Sequence, residues 1–516
     1  MTSHSSAVDG ASGGSSRSEG VVAASRGVRE LLGMVGPGLV VAVVLAMIGL
    51  TNRDAWMDEA CSIAATVQPR VIFDRTAGTM AGYYAVLYGW IRVSDSLWWI
   101  RFLSVLFAAA AVVITGWVAL RLRGAAVARW ACILLGASYM LVYYAREARS
   151  FAMVMVVLGA SWLALDKVVA GGEHRNAWTL VHLGLAALVP LTHGLAMIGL
   201  LSQTIALLAS RVSVRTWARV VPGYVASLAV VWYLLSLGAS DVGAGNGFTV
   251  DGAWNILLLL HGGERWSGIS FDPRPLLLAA TVYGVVLATG RWWRATDPLD
   301  RFRSIVPAVW AVATIVGFFV LNLRRENMIA RYVIGVMPAL AILQADAAFH
   351  LQGAIAAVLR VPRRWTAIPV VAAVLVLASV PSQLRLDERR DRTWSDMVEI
   401  VAAEGRDGDG FFSPRASGRM TFDYAWSQHG GRLPVLESVG PVHDVGVVQR
   451  FGSRISLERS IELMSDLDRV WVLEVPLSGK DPAFGEAAIA VAITGRFESV
   501  GSYRFRYGVL HLVERT

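Results

Sequence analysis

The chain has 516 residues, 55% of them hydrophobic and 17% charged, with a mean hydropathy of +0.52. That balance excludes an ordinary soluble domain and marks an integral membrane protein. A formal charge of +8 does not point to nucleic acid, because the arginines fall in short loops between apolar runs and not along one basic face.

Residues 1–30 are rich in Ser, Gly and Ala and lack the apolar mass to repay ordering, so they are expected as a disordered cytoplasmic tail. Between residues 31 and 381 lie about eleven apolar segments, each near the roughly 20 residues a spanning helix needs. The first, from Gly36 to Leu50, is followed by no small-residue cleavage site and is expected to stay as a helix. Alternating the loops then places every basic one inside: the N-terminus, Arg121 to Arg129, Lys167 to Arg175, Arg211 to Arg219, Arg291 to Arg303 and Arg360 to Arg364. The outer set is the loop 53–101, the segment Tyr143 to Phe151, the turn Thr192 to Gly194, the loop 238–274 and the segment 323–331. Residues 382–516 change character. An amphipathic stretch, Leu457 to Leu467, and strand-like runs at Val470 to Val475 and Tyr503 to Val513 predict a separate extracytoplasmic α/β domain. The two cysteines, Cys61 in a loop and Cys132 in an apolar run, make no disulfide framework.

Three clusters carry chemistry, all expected on the outer face. Asp58 and Glu59 are adjacent acids just beyond the first helix, where desolvation is costly and acids tend to be functional, although a solvated loop pair would look alike. In Tyr143–Phe151, Arg146 and Arg149 would share a helix face able to grip phosphate, with Glu147 rotated towards the other reactant. A snorkelling interfacial cluster is the bland alternative there. Arg324, Arg325 and Arg331, before the apolar run from Val333, form a third anion-binding candidate. His193 and His261 are isolated and assign no metal; clustered carboxylates leave a divalent cation open, with no dedicated ligand set.

These features together resemble the bacterial branch of the dolichyl-phosphate-mannose protein mannosyltransferase family, with its GT-C fold, which includes aminoarabinose transferases acting on lipid A. The resemblance rests on Asp58-Glu59-Ala60, the stretch Tyr83-Tyr84 to Arg101-Phe102, Glu147-Ala148-Arg149, Thr192-His193-Gly194 and Arg331-Tyr332 followed by Pro338-Ala339-Leu340, with an echo at Arg392-Thr393-Trp394-Ser395-Asp396. Met80-Ala81-Gly82 stands where relatives often carry prolines, and Arg146 where they often carry Gln.

The resemblance implies an inverting transfer of a sugar, mannose first and arabinose next, from a polyprenyl-phosphate donor to a glycan, lipid or protein hydroxyl of the bacterial cell envelope. Asp58 matches the family's catalytic acid, with Glu59 and Glu147 as groups orienting sugar or acceptor. Arg149 and Arg331, then Arg146, Arg324 and Arg325, are expected on the donor phosphate, and Tyr83, Tyr84, Tyr332 and His193 along the substrate groove. A polyprenyl-linked sugar transporter and a noncatalytic assembly subunit are the rivals. Transporters, however, place polar groups mid-membrane on broken helices and show internal repeats, and no repeat is visible in this chain.

Overall fold

The computed structural model describes residues 15–66, 78–238, 247–264, 272–360, 392–413, 416–439, 466–475, 496–506 and 508–516, with positions 73, 76 and 362 besides. The membrane part runs α1 (Ser15–Met47), α2 (Met57–Ala65), α3 (Ala81–Trp90), α4 (Leu97–Arg123), α5 (Ala125–Gly136), α6 (Tyr139–Ala145), α7 (Phe151–Ala170), α8 (Arg175–Thr192), α9 (Met197–Ala209), α10 (Val214–Ser236), α11 (Val250–Leu260), α12 (Arg274–Arg294), α13 (Pro298–Asn322) and α14 (Met337–Leu359). A 3₁₀ turn at Ala330–Val336 leads into α14.

Seven helices among the described residues are long and apolar enough to cross a membrane, or eight if α5 and α6, bent by 55° at their junction, make one span. The expected count of about eleven also takes in α8, long enough at 18 residues but less apolar than those seven, the shorter α9, and the apolar run before residue 381, which lies outside the described residues. Outward side chains such as Leu228, Val286 and Val320 are about 60% exposed, as lipid-facing positions require. The chain is a multi-pass membrane protein.

Local chemistry explains the breaks. Ser96 caps α4 by accepting from the Trp99 amide at 3.4 Å, and α4 ends with Arg121 and Arg123 against the negative end of the helix before Gly124, which sits at φ +90°. Ser138 caps α6 through the Leu141 amide. The first helix departs from expectation by reaching back to Ser15, into the segment expected to be disordered; once an apolar helix exists, adding Ala, Glu and Arg residues to its end needs no new nucleus. It packs on α5 so closely that Gly38 and Gly136 have room for hydrogen only: a Cβ at Gly136 would lie 2.3 Å from the Gly38 carbonyl oxygen.

The tail contains α15 (Thr393–Glu404) and α16 (Ala416–Gln428) beside a mixed five-stranded sheet of β1 (Gly410–Phe412), β2 (Glu437–Val439), β3 (Arg469–Glu474), β4 (Phe497–Phe505) and β5 (Gly508–Arg515). The order is β2-β1-β3-β5-β4, with β1 parallel to both neighbours and β5 antiparallel to β3 and β4. The expected α/β domain is present, and its last strand-like run resolves into the β4–β5 hairpin. Most of the amphipathic stretch 457–467 lies outside the described residues. Trp394, Phe411, Phe422 and Trp471 form its core, and Met57 of α2 packs against them.

Candidate active site

The site is built around α2, whose nine residues present three faces at helical spacing. Met57, Cys61 and Ala64 face the tail domain, where Met420 of α16 meets Cys61. Asp58 and Ser62 face Arg149. Glu59 points into the membrane part, towards Arg101 of α4.

Glu59 is completely buried and saturated. Its Oε1 accepts from Arg101 Nε at 2.9 Å and from the Ala148 amide at 2.8 Å, and its Oε2 from Arg101 Nη2 at 2.7 Å and the Trp56 amide at 2.9 Å. Burial alone would raise this carboxyl, but Arg101 more than reverses that, so it is held down at about 2. Arg101, also fully buried, gives its remaining hydrogens to the carbonyls of Leu50, Arg53 and Asp54 at 2.7, 3.0 and 2.9 Å. The pair knots the end of the first helix, α2, α4 and the Glu147 turn together. The expectation that Glu59 orients substrate is therefore corrected: no lone pair is left for a ligand.

Asp58 is the opposite case, with about a third of its side chain exposed. Its Oδ2 lies 3.3 Å from Arg331 Nη1 and 3.6 Å from Arg149 Nη2. Arg149 Nη1 also donates to the Asp58 carbonyl at 3.2 Å, to Ser62 Oγ at 3.4 Å and to Tyr84 Oη at 3.5 Å. Both guanidinium groups lie over Phe151, 5.8 and 5.7 Å from its centroid. The Nε groups of Arg149 and Arg331 are buried without a hydrogen-bond partner among the described residues, donors left unspent.

Tyr332 and His193 complete the wall, their rings 5.0 Å apart and His193 5.8 Å from Phe151. Burial first, and then Arg149 and Arg331, push the His193 imidazole down to about 3. Its Nδ1 accepts from the Leu195 amide at 3.3 Å, so the neutral ring carries its hydrogen on Nε2 and can donate it. Glu147 lies close by, its Oε1 paired with Arg53 at 3.3 Å; burial raises its carboxyl, Arg53 opposes this and Glu59 adds to it. Arg53 in turn covers the Tyr143 ring at 5.4 Å.

The structure thus gathers Asp58, Arg149, Arg331, Tyr332, His193 and Tyr84, with Glu147 at the edge. Other expected positions fall elsewhere. Arg146 does not share a face with Arg149, because α6 ends at Ala145 and residues 146–150 form turns; its Nη2 donates to the Leu45 carbonyl of α1 at 2.5 Å. Tyr83 is fully buried against Ser104, 3.4 Å away, and lines no groove. Arg324 and Arg325 sit in an exposed turn and make no ion pair among the described residues. Arg53 and Arg101 were given no role by sequence, although a lone arginine in the first turns of an apolar helix signals a buried acidic partner. Among the described residues no group of three His, Cys, Asp or Glu is placed to hold a metal ion.

Bundle, first-loop helices and tail domain together make this a GT-C fold, as solved structures show. ArnT from Cupriavidus metallidurans in the apo state matches with a TM-score of 0.60 at 15% identity, over 93% of this chain and 98% of that one. The same protein bound to undecaprenyl phosphate gives 0.59 at 16%, with the same coverage. The Archaeoglobus fulgidus oligosaccharyltransferase in complex with zinc and sulfate gives 0.50 at 10%, over 92% of this chain and 72% of that one. No family profile matches the chain, and no curated protein matches it significantly.

Proposed function

We propose that this protein is an inverting glycosyltransferase that moves a sugar from a polyprenyl-phosphate donor to a hydroxyl of a cell-envelope acceptor. The observation that carries the reading is one part-exposed carboxylate, Asp58, set between two arginines that keep unspent donors at one end of the helix bundle. ArnT, which shares the fold, has been crystallised with undecaprenyl phosphate, a ligand of the same class. The basic loops at the opposite end support a reading in which the face carrying the site and the tail domain lies outside a bacterial cell membrane.

In the resting arrangement Asp58 engages both guanidinium groups. A donor phosphate takes over those hydrogens and leaves a carboxylate oxygen free to accept the acceptor's proton. The acceptor oxygen then attacks the anomeric carbon as the bond to phosphate oxygen breaks; the proton stays on Asp58 and polyprenyl phosphate leaves. One base and one displacement invert the centre. Arg149 and Arg331 stabilise the charge that grows on the departing phosphate, and His193 Nε2 and Tyr332 border the same space. A lipid-linked donor accounts for a site at the bilayer edge, since its tail holds the phosphate there.

Mannose is the first sugar to test and arabinose the second; glycan, lipid and protein remain the acceptor classes. Purified protein given radiolabelled polyprenyl-phosphate sugar and a crude envelope acceptor is expected to transfer label. Asp58→Asn is expected to lose about 10²–10⁴-fold in turnover while staying folded. Undiminished transfer by the variant overturns the assignment.

A further inference from the structure

Among the described contacts between the tail domain and the membrane part, one joins a carboxylate of the first loop to the start of a tail helix. α15 begins after Arg392, which offers no side-chain cap, so its first amides need an acceptor from elsewhere. That acceptor is Asp54, 341 residues earlier: its Oδ2 accepts from the Ser395 amide at 2.8 Å and its Oδ1 from Ser395 Oγ at 2.6 Å. Both oxygens of one carboxylate are thus spent on one residue of the tail.

Asp54 also accepts Arg101 Nη2 at its carbonyl, and Arg101 holds Glu59, the neighbour of Asp58. On the other side of α2, Met57 packs on the tail core and Cys61 on Met420, while Tyr424 Oη of α16 donates to the Asp95 carbonyl at 3.0 Å. The short helix carrying Asp58 is therefore held on one face by a buried ion pair and on another by the tail. Arg149 and Arg331, by contrast, come from the turn before α7 and the 3₁₀ turn before α14, and among the described residues no hydrogen bond or ion pair joins either side chain to the tail.

Resting on the transferase reading, we infer that Ser395 is a positioning residue for Asp58, acting through Asp54, so that the tail domain is a working part of the active site. Ser395 touches no substrate. It fixes the loop that fixes α2, and so sets where the base stands relative to the arginines. Removing its hydroxyl disturbs the base more than the phosphate grip, because Arg331 and the backbone that carries Arg149 lie outside α2.

The test compares Ser395→Ala, Ser395→Thr and Asp54→Asn in the full-length protein. For Ser395→Ala, kcat is expected to fall about tenfold, the size of one charge-assisted hydrogen bond, with the KM for the donor unchanged. Ser395→Thr, which keeps the hydroxyl, restores kcat. The double variant Ser395→Ala with Asp54→Asn is no worse than Asp54→Asn alone. Hydrogen exchange at the amides of residues 57–65 is expected to quicken in Ser395→Ala, and this readout needs no activity. Unchanged kcat, or unchanged exchange in α2, overturns the inference. Wild-type protein that transfers no sugar overturns the transferase reading instead, while the exchange measurement still decides the brace.

Discussion

The same motif, one aspartate between two arginines, occurs at both ends of the bundle with opposite character. At the end carrying the candidate site, Asp58 is about a third exposed and its arginines stand off at 3.3 and 3.6 Å. At the other end, Asp166 of α7 binds Arg121 and Arg303 at 2.8 Å each, and Asp346 of α14 binds Arg123 at 3.0 Å and Arg291; both acids are about 5% exposed or less. Arg123 also donates to the carbonyls of Arg303 and Ser304, tying α4 to α13. At the far end each buried acid holds two arginines at 3.0 Å or less, whereas Asp58 is part-exposed and its two arginines keep buried, unspent donors.

The largest effect that would break the comparison, beside that of Asp58→Asn, comes from the arginines of the candidate site. Arg149→Ala or Arg331→Ala is expected to lower kcat by about 10²–10³-fold, read in the same transfer assay, while Arg324→Ala leaves it unchanged. An equal loss from Arg324→Ala would move the phosphate site to the exposed turn. Next in size, Asp346→Ala should act on stability, because Arg123 would remain buried without its acid. The expected loss is about 3–5 kcal/mol, seen as a lower midpoint of unfolding in detergent, with kcat per folded molecule retained. A kcat loss without destabilisation would give that end a catalytic part.

The smallest and most diagnostic effect concerns Glu59. Its carboxyl lies near 2 in the folded protein against an ordinary 4.5, so its contribution to stability is present above pH 4.5 and disappears as pH falls towards 2. The stability gap between wild type and Glu59→Gln is therefore expected to be widest above pH 5 and to close on acidification, as measured by thermal unfolding across that range. A gap that does not change with pH would mean that Glu59 is not ionised against Arg101.

The spans and the tail domain were legible because long apolar runs and alternating runs leave strong periodic signals. The meeting of Asp58, Arg149 and Arg331 was legible through loop parity, since all three fall at one membrane face. The family resemblance singled out Asp58 as the catalytic acid, but the residues alone could not divide it from Glu59, which was expected beside the substrate as well. Adjacent residues on a helix point about 100° apart, so two neighbouring acids cannot serve one ligand, yet nothing local says which one faces Arg101. The turn at 146–150 was misread for a related reason: its residues carry no helix breaker, and the partners that hold it, the Leu45 carbonyl, Arg53 and the Glu59 carboxylate that takes the Ala148 amide, all lie elsewhere in the chain. Arg53 and Arg101 were passed over because their partners lie in other loops.

The contact between Gly38 and Gly136 lies well inside the bundle, yet it bears on the chemistry at its rim. The first helix runs from that contact to Leu45 and the turn that ends at Leu50, and the carbonyls of these two residues receive Arg146 and Arg101. It behaves as a rigid strut whose seat has no slack, since even a methyl at Gly38 would lie 2.3 Å from the Cys132 backbone. A side chain added there would shift the strut lengthwise or sideways, and the displacement would emerge at the far tip, where two arginines anchor their loops to it.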